Sequence, residues 1–92
     1  MKIILDENAQ NWFKEELQLT EDMAVKFYPR YGGDFQLKQG FGIGFTVEPL
    51  PADSYNEKIN GITYFVDAKD IWYFEDNTLN VTVQNDEVIY TK

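Results

Sequence analysis

Ninety-two residues bear eight Lys and Arg against sixteen Asp and Glu, a net charge of −8, with no Cys and no His. Disulfides, thiolate nucleophiles, metal sites with thiolate or imidazole ligands and imidazole acid–base chemistry are thereby excluded. The scattered basic residues argue against a nucleic-acid or anionic-membrane surface, which needs them clustered.

A chain of this length predicts one domain spanning residues 1–92. Aromatics make up 16% of it, and each ring buries about 150–250 Å², which offsets the small size. Ile3, Ile4 and Leu5 form the first strand candidate. This run is too short for a signal peptide, and no stretch approaches a membrane span, so a cytoplasmic protein is expected.

Asp6 offers a carboxylate to the free amides of a helix start. Ala9, Trp12, Phe13 and Leu17 then share one helical face, predicting an amphipathic helix that ends near Leu19 and Thr20, with Trp12 and Phe13 as core anchors. The period next becomes two. Val25, Phe27 and Tyr31 alternate with Lys26, Tyr28 and Arg30, and Pro29 puts this strand at an edge or at a bulge. Gly32-Gly33-Asp34 reads as a turn.

Phe41, Ile43, Phe45 and Val47 alternate with Gly42, Gly44, Thr46 and Glu48, giving a strand with one apolar and one almost bare face. The bare face admits a backbone or a bulky ring. Pro49 and Pro51 end it. Tyr55–Ile59 and Ile62–Val66 flank Asn60-Gly61, a strong hairpin signal. Asp67 caps a helical turn leading through Lys69 and Ile71 to Trp72, Tyr73 and Phe74. After a turn at Glu75-Asp76-Asn77, Leu79, Val81 and Val83 begin a second hairpin over Asn85-Asp86, returning through Val88 to Tyr90. One helix must cover an apolar sheet face. The fold class is α+β, mostly antiparallel and β-rich, with one N-terminal amphipathic helix and one short helical turn.

Motifs that carry chemistry are few. Gly40-Phe41-Gly42-Ile43-Gly44 lacks the following helix that a dinucleotide loop requires. Asn80-Val81-Thr82 lies within a strand and has no secretory context as a glycosylation site. Ser54 is the sole serine and has no His to deprotonate it. No calcium-loop spacing is present. No catalytic or metal-ligating residue is assigned, and no cofactor is expected.

The ordered set is more informative than any one motif. Val25 to Gly33, Phe41 to Phe45, and Gly61 to Val83 with its segment Gly61-Ile62-Thr63-Tyr64-Phe65-Val66-Asp67-Ala68-Lys69-Asp70-Ile71-Trp72-Tyr73-Phe74 resemble the HesB-like family, the A-type iron–sulfur biogenesis domains. The resemblance covers nearly the whole chain and implies that scaffold. Iron–sulfur members of the family use three cysteines, one in the glycine-rich turn after the strand ending near Tyr31 and two in a C-terminal Cys-Gly-Cys pair. Here Tyr31-Gly32-Gly33-Asp34 and Gln84-Asn85-Asp86-Glu87 supply no thiolate, and carboxylates are poor substitutes for soft sulfur ligands.

The first reading is therefore a HesB-like binding or accessory module without catalytic activity, engaging another protein, with iron–sulfur assembly as the setting the resemblance implies. Its candidate binding residues are Arg30, Tyr31, Gly32, Gly33, Asp34, Gly42 and Gly44, where exposed backbone and a guanidinium meet a partner or an anion. The alternative keeps an iron or cluster role through carboxylates or a partner's cysteines. A small carboxylate-based enzyme is the third.

Overall fold

The computed structural model describes residues 1–20, 22–31 and 41–91. Strand β1 (Lys2–Leu5) leads into helix α1 (Glu7–Glu16), followed by β2 (Met23–Tyr31), β3 (Phe41–Pro49), β4 (Ser54–Ile59) and β5 (Ile62–Asp67). A 3-10 turn at Ala68–Asp70 runs into the single-turn helix α2 (Ile71–Phe74), and β6 (Thr78–Gln84) and β7 (Glu87–Thr91) complete the order. The strands form two mixed sheets, β1-β6-β7 and β3-β2-β5-β4. The α+β class and the element order are as expected. The pairing is more mixed: β2–β3, β4–β5 and β6–β7 are antiparallel, whereas β1–β6 and β2–β5 run parallel.

Helix α1 begins where a cap is available. Asp6 is extended, and its carboxylate accepts the Ala9 N–H at 2.8 Å, a contact worth about 1 kcal/mol. The helix ends at Glu16, short of the expected Leu19–Thr20. Leu17 already has extended backbone (φ −109°, ψ 111°) while its N–H still closes on the Phe13 carbonyl. Leu17 and Leu19 leave the helix but pack against the core. Tertiary burial, not helical period, explains their apolarity.

Phe13 is the hub of that core. It meets Phe27, Phe45 and Tyr64 edge-on at 5.2–6.3 Å, and Phe27 stacks on Tyr64 at 5.9 Å. Such pairs contribute about 0.5–1.5 kcal/mol each beyond their buried area. Phe27 also meets Tyr90 of the other sheet at 5.9 Å, so one aromatic cluster joins both sheets. Trp12, expected in the core beside Phe13, is only half-buried at its margin.

Both hairpins turn as their residues dictate. Asn60 (φ 51°) with Gly61 (φ 86°), and Asn85 (φ 53°) with Asp86 (φ 60°), supply the paired positive φ angles of a tight two-residue turn. Pro29 lies in β2 opposite Ile43, in a register with β3 that runs unbroken from Met23 to Tyr31. The parallel pairing with β5 involves only Val25 and Lys26. Pro29 therefore sits where that flank of β2 has no strand partner among the described residues, a local edge without a bulge. Asp67 precedes the 3-10 turn but makes no capping hydrogen bond. Its carboxylate lies instead 3.5 Å from Lys26 Nζ.

The two sheets meet differently along their two sides. On one, Glu57 of edge strand β4 reaches edge strand β1. Its Oε2 accepts the Ile3 N–H at 2.7 Å and the Tyr55 hydroxyl at 2.6 Å. The other side ends in the edges of β3 and β7.

Candidate functional site

Strand β2 presents Lys26, Tyr28 and Arg30 on the face away from Phe27, and β3 sets Gly44 opposite Tyr28 and Gly42 opposite Arg30. A Cβ on Gly44 would stand 3.0 Å from Tyr28 Cζ and Oη and 3.1 Å from Arg30 Cδ. The bare face of β3 is thus occupied by a ring, as the sequence predicts. This glycine is required by close approach, not by a special backbone angle.

Of the residues assigned from sequence, Arg30 is exposed, and Gly42 and Gly44 are buried. Tyr31 closes β2 opposite Phe41. Gly32, Gly33 and Asp34 lie outside the described residues.

Arg30 and Gly44 line a cleft of about 530 Å³, together with Tyr28, Ile43 and Phe45 of the same sheet, Trp12 of α1, and residues 86–90 of the β6–β7 hairpin. Trp12 lies edge-on to Phe45 at 6.0 Å, and its indole N–H is buried without an acceptor. An unpartnered buried donor carries a penalty of about 1–3 kcal/mol unless something accepts from it. Burial pushes the Tyr90 phenol well above its ordinary range. Tyr28 adds to that shift, and Arg30 opposes it. The cleft thus offers a guanidinium and aromatic walls, with Asp86 and Glu87 at its far end.

The residues assigned from sequence include Arg30 and Gly44 of this lining and not Trp12, Tyr28 or β7. Trp12 carries the signal of a core helix face, and nothing local to β7 indicates which strand it approaches.

Alternation along β2 points Lys26 outward, yet it is 9% exposed. Its Nζ lies 3.6 Å from Glu48, 3.5 Å from Asp67 and 5.8 Å from the Tyr28 ring centroid. These separations exceed the roughly 2.7–2.9 Å of a charge-assisted hydrogen bond, so the attraction is chiefly Coulombic. Nearby, burial raises the Asp70 carboxyl; Lys69 and Lys26 pull it down and Asp67 pushes it up. A second cleft, of about 670 Å³, lies between the end of α1 and the β4–β5 turn, with Lys14 and Lys58 among its walls. It includes none of the residues assigned from sequence.

Among the described residues, no group of three or more Asp and Glu side chains is placed to hold a metal ion. The chain has no thiolate or imidazole, so its own donors do not fit an iron–sulfur cluster bound through sulfur. No helix is long and apolar enough to cross a membrane among the described residues.

No family model matches the sequence. Across its full length the chain is 47% identical over 97 residues to an uncharacterised protein of Staphylococcus haemolyticus, of which it covers 98%. An uncharacterised protein of Staphylococcus saprophyticus is 44% identical over 95 residues, with 98% of this chain and 97% of that protein covered. One from Staphylococcus aureus strain USA300 is 45% identical over 96 residues, covering 99% and 98%. Among solved structures, the crystal structure of Escherichia coli SufA, involved in biosynthesis of iron–sulfur clusters, superposes with a TM-score of 0.64. It covers 99% of this chain and 83% of SufA at 17% identity. That likeness is one of fold: the chain has the HesB-like architecture its residue pattern resembles.

Proposed function

The chain belongs to the same family as these uncharacterised staphylococcal proteins, and from that premise we propose that it is a non-catalytic binding module. On this reading it engages a protein of iron–sulfur assembly through the HesB-like scaffold, without ligating a cluster itself. One observation carries the reading. The cleft beside Arg30 gathers a cation and the aromatic walls of Trp12, Tyr28, Phe45 and Tyr90 at one place. Those are groups for recognition rather than for bond cleavage. The fold shared with SufA supplies the partner class. The absence of Cys and His removes sulfur ligation from the module's part in it.

Affinity capture from the organism's own extract tests the proposal, with wild type and Arg30→Ala compared by quantitative mass spectrometry. Iron–sulfur assembly proteins should be enriched on the wild type and reduced about tenfold on the variant, the expected scale for truncating a contact guanidinium. In parallel, purified protein incubated with ferrous iron and sulfide should stay colourless. Enrichment indifferent to Arg30 would refute the site. A brown species co-eluting with the protein would refute the ligand-free role.

A further inference from the structure

Two of the elements that wall the cleft are edge strands. β3 ends the four-stranded sheet and β7 ends the three-stranded one, and neither has a second neighbour among the described residues. The lining is also consecutive, Ile43-Gly44-Phe45 on β3 and residues 86–90 on β7. Side chains of a strand alternate between faces, so a surface facing one side of a sheet contacts every second residue. Consecutive lining places part of the cleft along the strand edges, while Tyr28 and Arg30 of β2 reach it from the sheet face.

The hydrogen-bonding phase of each edge follows from the register. The two-residue turn at Asn85-Asp86 makes Gln84 and Glu87 a hydrogen-bonded pair, and Thr82–Ile89 the next. Val88 and Tyr90 therefore point their N–H and C=O groups away from β6. On the other wall Pro29 has no N–H, so the pairs that exchange hydrogen bonds are Tyr28–Gly44 and Arg30–Gly42. Ile43 and Phe45 are left pointing away from β2. All four residues line the cleft.

Unpaired edges with outward donors and acceptors are templates for another strand. On the opposite side of the molecule, Glu57 ties β4 to β1. Here the sheets touch through the Phe27–Tyr90 ring contact, and β3 and β7 are not paired with one another. A strand occupies about 4.8 Å by 10 Å by 3.3 Å per residue, so about 530 Å³ holds roughly three extended residues.

We propose that the cleft is a strand-insertion site. An extended segment of a partner protein, with basic residues flanking its inserted core, bonds through its backbone to β3 on one side and β7 on the other. This rests on the binding-module reading above and names its mode. The flanking charge follows from the chain's net −8 and from Asp86 and Glu87 at the cleft's end, while Arg30, the cation of the lining, is left to donate to a carbonyl of the inserted core. A second copy, equally acidic, is electrostatically disfavoured as occupant.

The probe is a set of synthetic peptides of about nine residues, with Lys pairs flanking cores drawn from Val, Ile, Thr, Phe and Tyr, and a matched set flanked by Glu. The tightest Lys-flanked peptide should slow amide exchange at Ile43, Phe45, Val88 and Tyr90 at least about tenfold, while Glu-flanked peptides bind more weakly. Successive amides of an inserted strand point to opposite sides. N-methylation of either alternate set within the core should therefore weaken binding about tenfold or more. Val88→Pro removes an outward N–H without a bond to β6 and should weaken binding similarly; the methylated peptides decide the matter should that variant misfold.

Sensitivity in one alternate set only would mean addition to a single edge and would overturn insertion. So would insensitivity in both, or concentration-dependent protection of the four amides without peptide, which would assign the edges to a second copy. If no peptide binds while Arg30-dependent capture persists, the strand mode is wrong and the binding-module reading survives. If both fail, that reading falls as well.

Discussion

Replacing Tyr64 by Phe should stabilise the protein. Tyr64 is fully buried between Phe13 and Phe27, and its hydroxyl has no hydrogen-bond partner. The ring contacts survive in Phe. The hydroxyl's unpaired desolvation, about 1–3 kcal/mol, is removed, against a few tenths of a kcal/mol for the small void left behind. A net gain of about 1–2 kcal/mol is large against the roughly 5–14 kcal/mol expected for 92 residues. Urea denaturation at pH 7.5, followed by circular dichroism, should show a higher midpoint at unchanged slope.

A second signature comes from titration. Burial pushes the Tyr64 phenol up from 10.0 to about 12. A group whose folded pKa lies above its unfolded value contributes stability that is complete below the unfolded value and lost as pH rises through the folded one. The wild type should therefore lose about 1.4 kcal/mol through Tyr64 by pH 11, a loss that the Tyr64→Phe variant cannot suffer. The gap between the two proteins must widen from pH 8 to pH 11. A lower midpoint for Tyr64→Phe, or a gap independent of pH, would show that the hydroxyl is satisfied and refute the reasoning.

Three further substitutions test the charge and packing arguments. Lys26→Met should cost about 1–2 kcal/mol at low salt, because it removes the cation that Glu48 and Asp67 share. Chemical denaturation in 1 M salt, where screening weakens the attraction in the wild type, should narrow that difference. Glu57→Gln should weaken two charge-assisted hydrogen bonds, lowering stability by about 1 kcal/mol. It should also let the Tyr55 phenol fall from about 12, where burial and then the Glu57 hydrogen bond hold it, as read by ultraviolet titration. In Gly44→Ala the Cβ displaces the Tyr28 ring and the Arg30 stem by a few tenths of an ångström. Both side chains are at least partly exposed and can move, and the stiffer unfolded chain returns about 0.4–1 kcal/mol. The melting temperature should shift by only a few degrees while the Tyr28 ring resonances move; a loss above about 2 kcal/mol would mean that the ring is pinned.

What the residue pattern makes legible is local. The Asp6 cap, the Asn60-Gly61 and Asn85-Asp86 turns and the alternation in β2, β3 and β6 each depend on neighbours within a few residues, where φ preferences and side-chain period are decisive. The early end of α1 is not legible, because Leu17 and Leu19 are apolar for tertiary reasons. Nor is the burial of Lys26, which depends on carboxylates from β3 and β5. The parallel pairings β1–β6 and β2–β5 join segments about 76 and 39 residues apart, by the Lys2–Thr78 and Val25–Tyr64 registers, with no hairpin to announce them.

The candidate site falls on the boundary between those two kinds of information. Arg30 and Gly44 are legible because one adjoins a strand end and the other interrupts an apolar alternation. Their counterparts on β7 are not, since only the assembly of two sheets places that edge across from β3. On the binding-module reading proposed above, a HesB-like scaffold without Cys or His recognises its partner through charge, aromatic contact and backbone hydrogen bonding. The cleft concentrates all three, and backbone hydrogen bonding is the one that needs no particular side chain. An edge-strand site therefore depends on register, turn geometry and the unpaired phase at Ile43, Phe45, Val88 and Tyr90. The exchange behaviour of those four amides is consequently a more direct test of function here than the loss of any single side chain.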